Sequence, residues 1–123
     1  MNYILIILVI VLLFFIYNNL NLNFSEKFSS DNNKKIIINI FLSKSCPHCV
    51  SYKMEHENIK QKVLSLYPQT SFNLLYADEH RELFNENDIE YVPACMMNIN
   101  DKGFVKMNNR INADNILEFI KNN

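Results

Sequence analysis

The 123-residue sequence predicts an α/β domain with the element order β-α-β-α-β-β-α behind an apolar N-terminal helix. Three observations carry this. Residues 35–42, KIIINIFL, are a nearly continuous apolar run of strand length. Beyond them, Cys49, Tyr52, His56, Ile59, Val63 and Leu66 recur at steps of three and four, the period of one helical face. The chain's one glycine, Gly103, ends the turn Asn100-Asp101-Lys102-Gly103 between two short apolar runs, as a hairpin requires.

Taken in order, residues 3–17, YILIILVIVLLFFIY, are apolar without a break, and Leu20 and Leu22 extend them. A helix needs about 20 residues to cross a bilayer. Residues 1–20 therefore read as an uncleaved, single-pass transmembrane anchor with Tyr3 and Tyr17 at its interfaces. A cleaved signal peptide would carry a basic start and small residues before the cut, and neither Met1-Asn2 nor Tyr17-Asn18-Asn19-Leu20 supplies them. Residues 21–33, rich in Asn and Ser, read as a linker to a domain over 34–123. Lys27, Lys34 and Lys35 follow the anchor, which by the positive-inside tendency leaves that domain on the cytosolic side; the ER lumen or periplasm is the alternative.

Within the domain, residues 35–42 read as a strand buried on both faces. The helix over 46–67 presents its apolar stripe inward and stops at Pro68. Residues 71–77, SFNLLYA, form a second strand. Asp78 is expected to cap a short helix that carries Glu79 and Glu82 in its first turn, near the positive end of the dipole, and finishes near Asn87. Residues 94–99 and 104–107 flank the glycine turn, and a last helix over 114–121 turns Ile116, Leu117 and Ile120 to one side.

The net charge of -1, with both signs interspersed, leaves no basic face for phosphate backbones, so nucleic acid is not an expected partner. The chemistry concentrates in KSCPHCVSY, residues 44–52. Cys46 at the start of a helix meets unpaired backbone N–H groups and the positive dipole end, which favour its thiolate. Pro47 falls at the first helical position, where its missing N–H costs nothing. Cys49, one turn on, faces the core, so Cys46 attacks and Cys49 resolves. His48, as imidazolium or ring N–H donor, adds to the thiolate's stability. A stabilised dithiol makes the disulfide an oxidant, which suits oxidase or isomerase chemistry better than strong reduction. Haem attachment needs His directly after the second cysteine, where Val50 stands. A zinc clip drawing on Cys46, Cys49, Cys95 and His80 or His56 lacks a second closely spaced pair.

The segments KIIINIFLSKSCPHC, IEYVPACMMNINDKGFVK and NADNILEFIKNN together resemble the thioredoxin superfamily over nearly all of 34–123, and the CPHC tetrapeptide is similar to that of the DsbA disulfide oxidases. That resemblance implies a thioredoxin-like fold, a central mixed sheet flanked by helices. Ile89-Glu90-Tyr91-Val92-Pro93-Ala94 resembles the family's I-x-x-V-P-[TA] segment, which implies a cis Pro93 against the cysteine pair and a Val92 backbone that pairs with an extended client. Departures accompany it. Ile40 stands where thioredoxins have a buried acid, Ser45 replaces a tryptophan, and residues 108–111 lack the glycines that hold glutathione in glutaredoxins. No room exists between Tyr67 and Asp78 for the helical insertion of DsbA, so the substrate surface is expected to be small and shallow.

The expectation is therefore a membrane-anchored thiol–disulfide oxidoreductase that needs no cofactor or metal and works on protein thiols and disulfides through Cys46. A flavin-dependent sulfhydryl oxidase is its expected recharging partner. A cytosolic oxidant suits a large DNA virus that assembles its own disulfides, in line with the Asn- and Ile-rich composition. The alternatives are a binding module whose pair holds zinc, and a glutathione-coupled reductase in which Lys44 supplies part of the site. Cys95 reads as a buried core thiol, His56 as a boundary histidine, His80 as solvated and Arg110 as a surface residue.

Overall fold

The computed structural model describes residues 3–26 and 33–123, with side chains of the first helix described over 3–17. The chain divides into two units between Asn32 and Asn33.

The first unit holds helix α1 (Tyr3–Glu26). It continues past residue 20 into the stretch expected to be a linker, whose residues 27–32 lie outside the described ones. Its apolar side chains from Tyr3 to Tyr17 are 45% to 75% exposed. The expected transmembrane helix is not found: among the described residues no helix is long and apolar enough to cross a membrane. The unbroken apolar run of residues 3–17 rises only about 22 Å at 1.5 Å per residue, against about 30 Å of hydrocarbon. From Asn18 onward asparagines alternate with leucines.

The second unit runs β1 (Ile36–Leu42), α2 (Pro47–Leu66), β2 (Thr70–Tyr76), α3 (Arg81–Glu86), β3 (Ala94–Ile99), β4 (Phe104–Met107) and α4 (Ala113–Asn122). The strands form one sheet in the order β2-β1-β3-β4, with β1 parallel to β2 and antiparallel to β3, and β3 antiparallel to β4. This is the expected element order and a mixed sheet flanked by helices.

Side chains alternate across the sheet. Ile36, Ile38, Ile40 and Leu42 of β1 point to one face, where they pack with Ile59 and Val63 of α2 and Ile116 and Ile120 of α4. Each fully buried Ile there contributes about 1.5–3 kcal/mol. The other face is covered at one end only. Phe41 meets Phe84 of α3 edge-on at 5.0 Å, with Ala94 and Met96 in the same cluster. Because α3 is six residues long, Ile37 and Asn39 remain half-buried, so β1 is not enclosed on both faces as expected. Asn73 of β2 donates to Asn39 Oδ1 at 2.9 Å on this wetter side.

Asp78 does not cap α3. The cap position is His80, whose side chain makes no cap bond, while the Asp78 carboxylate binds Lys44 instead. The turn after β3 uses positive φ at Asn100 (55°) and Asp101 (59°) as well as at Gly103 (103°). Asn98 Oδ1 accepts the Gly103 N–H at 3.3 Å. Helix α4 opens on Asn112, whose Oδ1 accepts from the Asn115 N–H at 2.8 Å.

Candidate active site

The cysteine pair sits where the C-terminal end of β1 turns into α2. Cys46 is the N-cap, extended at φ -90° and ψ 119°, and Pro47 takes the first helical position. The Cys46 Sγ accepts the Cys49 N–H at 3.4 Å, one of the orphan donors of the first turn. The Cys49 side chain and then its N–H hold the Cys46 thiol below its ordinary pKa, with a smaller contribution from the His48 N–H and partial burial opposing. Cys49 is the reverse case. It is 3% exposed, and burial, followed by the nearby Cys46 sulfur, pushes its thiol up to about 11 despite the Ser43 N–H donated to its Sγ at 3.4 Å. Both cysteines are free thiols in this structure. One sulfur is half-exposed and acidified and its neighbour is buried and protonated, which is the asymmetry an attacking and a resolving thiol need.

The Val92–Pro93 peptide is cis. The Val92 carbonyl lies 3.6 Å from Cys46 Sγ and accepts from its thiol. The structure thus brings Cys46, Cys49, Val92 and the helix start together. His48 is exposed and contributes its backbone N–H to Cys46; among the described hydrogen bonds none joins its ring to the sulfur. The ring instead lines a cavity of about 480 Å3 with Tyr52, Glu55, Pro93 and Arg110.

Ile40 is fully buried, flanked in register by Leu74 and Cys95, so this position of β1 carries no carboxylate. Cys95 is 0% exposed and burial pushes its thiol up to about 12. Lys44 places its ammonium 2.8 Å from Asp78 and 2.9 Å from Glu79, and these carboxylates raise its pKa, Asp78 foremost. Ser45 Oγ meets Ser43 Oγ at 3.2 Å. Arg110 ties the hairpin to α4 through its carbonyl, which accepts from Asn115 Nδ2 at 2.7 Å. Among the described residues no group of three or more His, Cys, Asp or Glu is placed to hold a metal ion.

Two features escaped the sequence. The Ser43 N–H on Cys49 is a backbone contact that no residue type announces. The Lys44–Asp78–Glu79 cluster had a signal, since Lys44 and Asp78 each follow the C-terminal ends of neighbouring parallel strands. His56, taken as a boundary residue, is 7% exposed and bonds the Tyr52 hydroxyl through Nδ1 at 2.9 Å.

Comparison with known proteins agrees with this fold. The thioredoxin family profile matches residues 16–122. Among solved structures, malaria parasite thioredoxin-2 superposes with a TM-score of 0.60 at 16% identity, covering 73% of this chain and 84% of that one. The first thioredoxin domain of mouse protein disulfide-isomerase A4 gives 0.62 at 16% identity, with 81% and 69% covered. A thioredoxin from Trypanosoma brucei brucei gives 0.52 at 19% identity, with 81% and 80% covered. No curated protein sequence matches. At these identities the structures speak for the fold, and the profile over most of the sequence speaks for the family: the chain belongs to the thioredoxin family.

Proposed function

We propose that the protein is a thiol–disulfide oxidoreductase that exchanges disulfides with protein clients through Cys46 and Cys49, acting as an oxidase or isomerase. The observation that carries this reading is the placement of the two sulfurs: Cys46, at the N-cap of α2, accepts the Cys49 N–H at 3.4 Å and is acidified there, while Cys49 is 3% exposed and burial holds it protonated. A client disulfide is attacked by the Cys46 thiolate, and Cys49 then displaces the client sulfur; run backwards, the same steps oxidise a client dithiol. The acidified Cys46 is the better leaving group of the two, which favours the oxidising direction. Pro47 sets the helix start, His48 lends its N–H, and Val92 and Pro93 line the approach to Cys46. In this reading a flavin-dependent sulfhydryl oxidase renews the disulfide.

Attachment to a membrane through residues 3–17, with the redox domain on the cytosolic side, belongs to the same proposal. It is supported by apolar side chains exposed all along that run of α1. Vesicle flotation of the full chain, lost on replacing Leu8, Leu12 and Phe15 by Asp, checks it.

The exchange reading is tested by a redox titration of the full chain together with Cys49→Ala. A reversible Cys46–Cys49 disulfide and mixed disulfides trapped on Cys46 are expected. One equivalent of bound zinc with no reversible disulfide would replace this reading by the binding module.

A further inference from the structure

The proposed exchange obliges Cys49 to gain and lose a proton, and this inference rests on that reading. The core cluster that holds Cys49 also holds Ile40, Leu74 and the thiol and phenol of Cys95 and Tyr52, both of which burial keeps protonated. On another side a cavity of about 130 Å3 is lined by Ser43, Lys44, Cys49, Val50, Lys53 and Tyr76. That volume admits roughly four waters at about 30 Å3 each. The Ser43 N–H reaches Cys49 Sγ at 3.4 Å. The ammoniums of Lys44 and Lys53 stand 5.7 Å and 5.9 Å from the centroid of the Tyr76 ring. The charge of Lys44 is offset by Asp78 and Glu79, whereas Lys53 makes no ion pair among the described residues and follows Cys49 by four positions, about one helical turn.

We propose that this cavity is the port through which the Cys49 proton passes, and that Lys53 is a positioning residue whose charge stabilises the Cys49 thiolate. In the oxidising direction a client thiolate bonds to Cys46 Sγ, and the Cys46–Cys49 bond breaks with both electrons on Cys49 Sγ. A water in the cavity then protonates that sulfur, and the hydroxide left behind is neutralised by bulk buffer. In the reducing direction Cys49 gives its proton to cavity water and its thiolate attacks Cys46 Sγ of the mixed disulfide. The client sulfur leaves with the electron pair and takes a proton from solvent. The groups that bear on Cys49 are Cys46, Tyr52 and Lys53 from α2, Lys44 with its partners Asp78 and Glu79, Tyr76 from β2 and Cys95 from β3. Of these, Lys53 alone is a cation without a carboxylate partner.

The test follows Cys49 by its Cβ carbon shift in NMR titrations of the full chain carrying Cys46→Ser. Cys49 ionises in that background whether or not the wild type exchanges disulfides, so failure here is separable from failure of the oxidoreductase reading. At a fixed pH of about 9, Lys53→Met and Lys53→Gln are expected to lower the thiolate fraction about threefold to tenfold, Lys53→Arg to restore it, and Lys44→Met to change it less than about twofold. The proposal is overturned if Lys53→Met leaves the fraction unchanged, if Arg does not restore it, or if Lys44→Met has the larger effect.

Discussion

Tyr52→Phe removes one atom from a buried polar pair, and its cost follows from the geometry. The hydroxyl bonds His56 Nδ1 at 2.9 Å, with Tyr52 5% and His56 7% exposed, and among the described residues no buried side-chain nitrogen or oxygen lacks a partner. Deleting the hydroxyl strands the imidazole nitrogen, a loss of about 1–3 kcal/mol. For a domain of this size a loss near the middle of that range lowers the midpoint by about 8–16 °C. His56→Leu likewise leaves the buried Tyr52 hydroxyl without its partner and is expected to cost a similar amount. The double variant Tyr52→Phe/His56→Leu is therefore expected to cost about 1 kcal/mol less than the sum of the two single changes. Urea unfolding of the full chain, followed by circular dichroism, measures all three. Burial lowers the pKa of His56 from its ordinary 6.5, so the fold disfavours the protonated ring. Its contribution is complete above about pH 6.5 and is lost as the pH falls below that value, a dependence that His56→Leu abolishes. A Tyr52→Phe cost under about 0.5 kcal/mol, or strict additivity in the double variant, would refute the reasoning.

Alkylation of the native dithiol is expected to modify Cys46 first, Cys49 slowly and Cys95 only on unfolding, as peptide mass mapping after brief labelling would record. Because burial raises the pKa of Cys95 from 9.0 to about 12, its contribution to stability is complete below pH 9.0 and is lost as the pH rises toward 12; Cys95→Ala removes this alkaline loss and leaves disulfide exchange intact. Asn112→Ala deletes the cap of α4 and is expected to cost about 1 kcal/mol, read from the urea midpoint, with Asn112→Asp close to wild type.

Much of this arrangement was legible because local and global preferences coincide. The Ile-rich run of β1, the stripe from Cys49 to Val63 and the turn at Gly103 each satisfy one period or one backbone requirement, and the elements appear within a residue or two of their expected bounds. Cys46 and Pro47 were legible for the same reason, since a cap and a first-turn proline are local features. What could not be read depends on partners far along the chain. Asp78 satisfies the rule for a helix cap, yet Lys44, 34 positions earlier, offers it a charged partner, and the helix begins three residues later. His56 satisfies the rule for a boundary residue until Tyr52 and the ring of Phe72 enclose it. The covering of Phe41 but not Asn39 depends on the length of α3, which ends at Glu86.

The Asn39–Asn73 bond has a consequence for how the neighbouring strands find their alignment. The two residues sit directly opposite in the parallel pairing of β1 with β2, and each amide supplies what the other lacks. Sliding one strand by a single position would thrust an asparagine among isoleucines; sliding by two would leave Asn39 beside Ser71 or Leu75, neither of which answers it over that span. Two small amides therefore act as a key that admits one alignment, and they hold the ends of β1 and β2, Leu42 and Tyr76, at a common level.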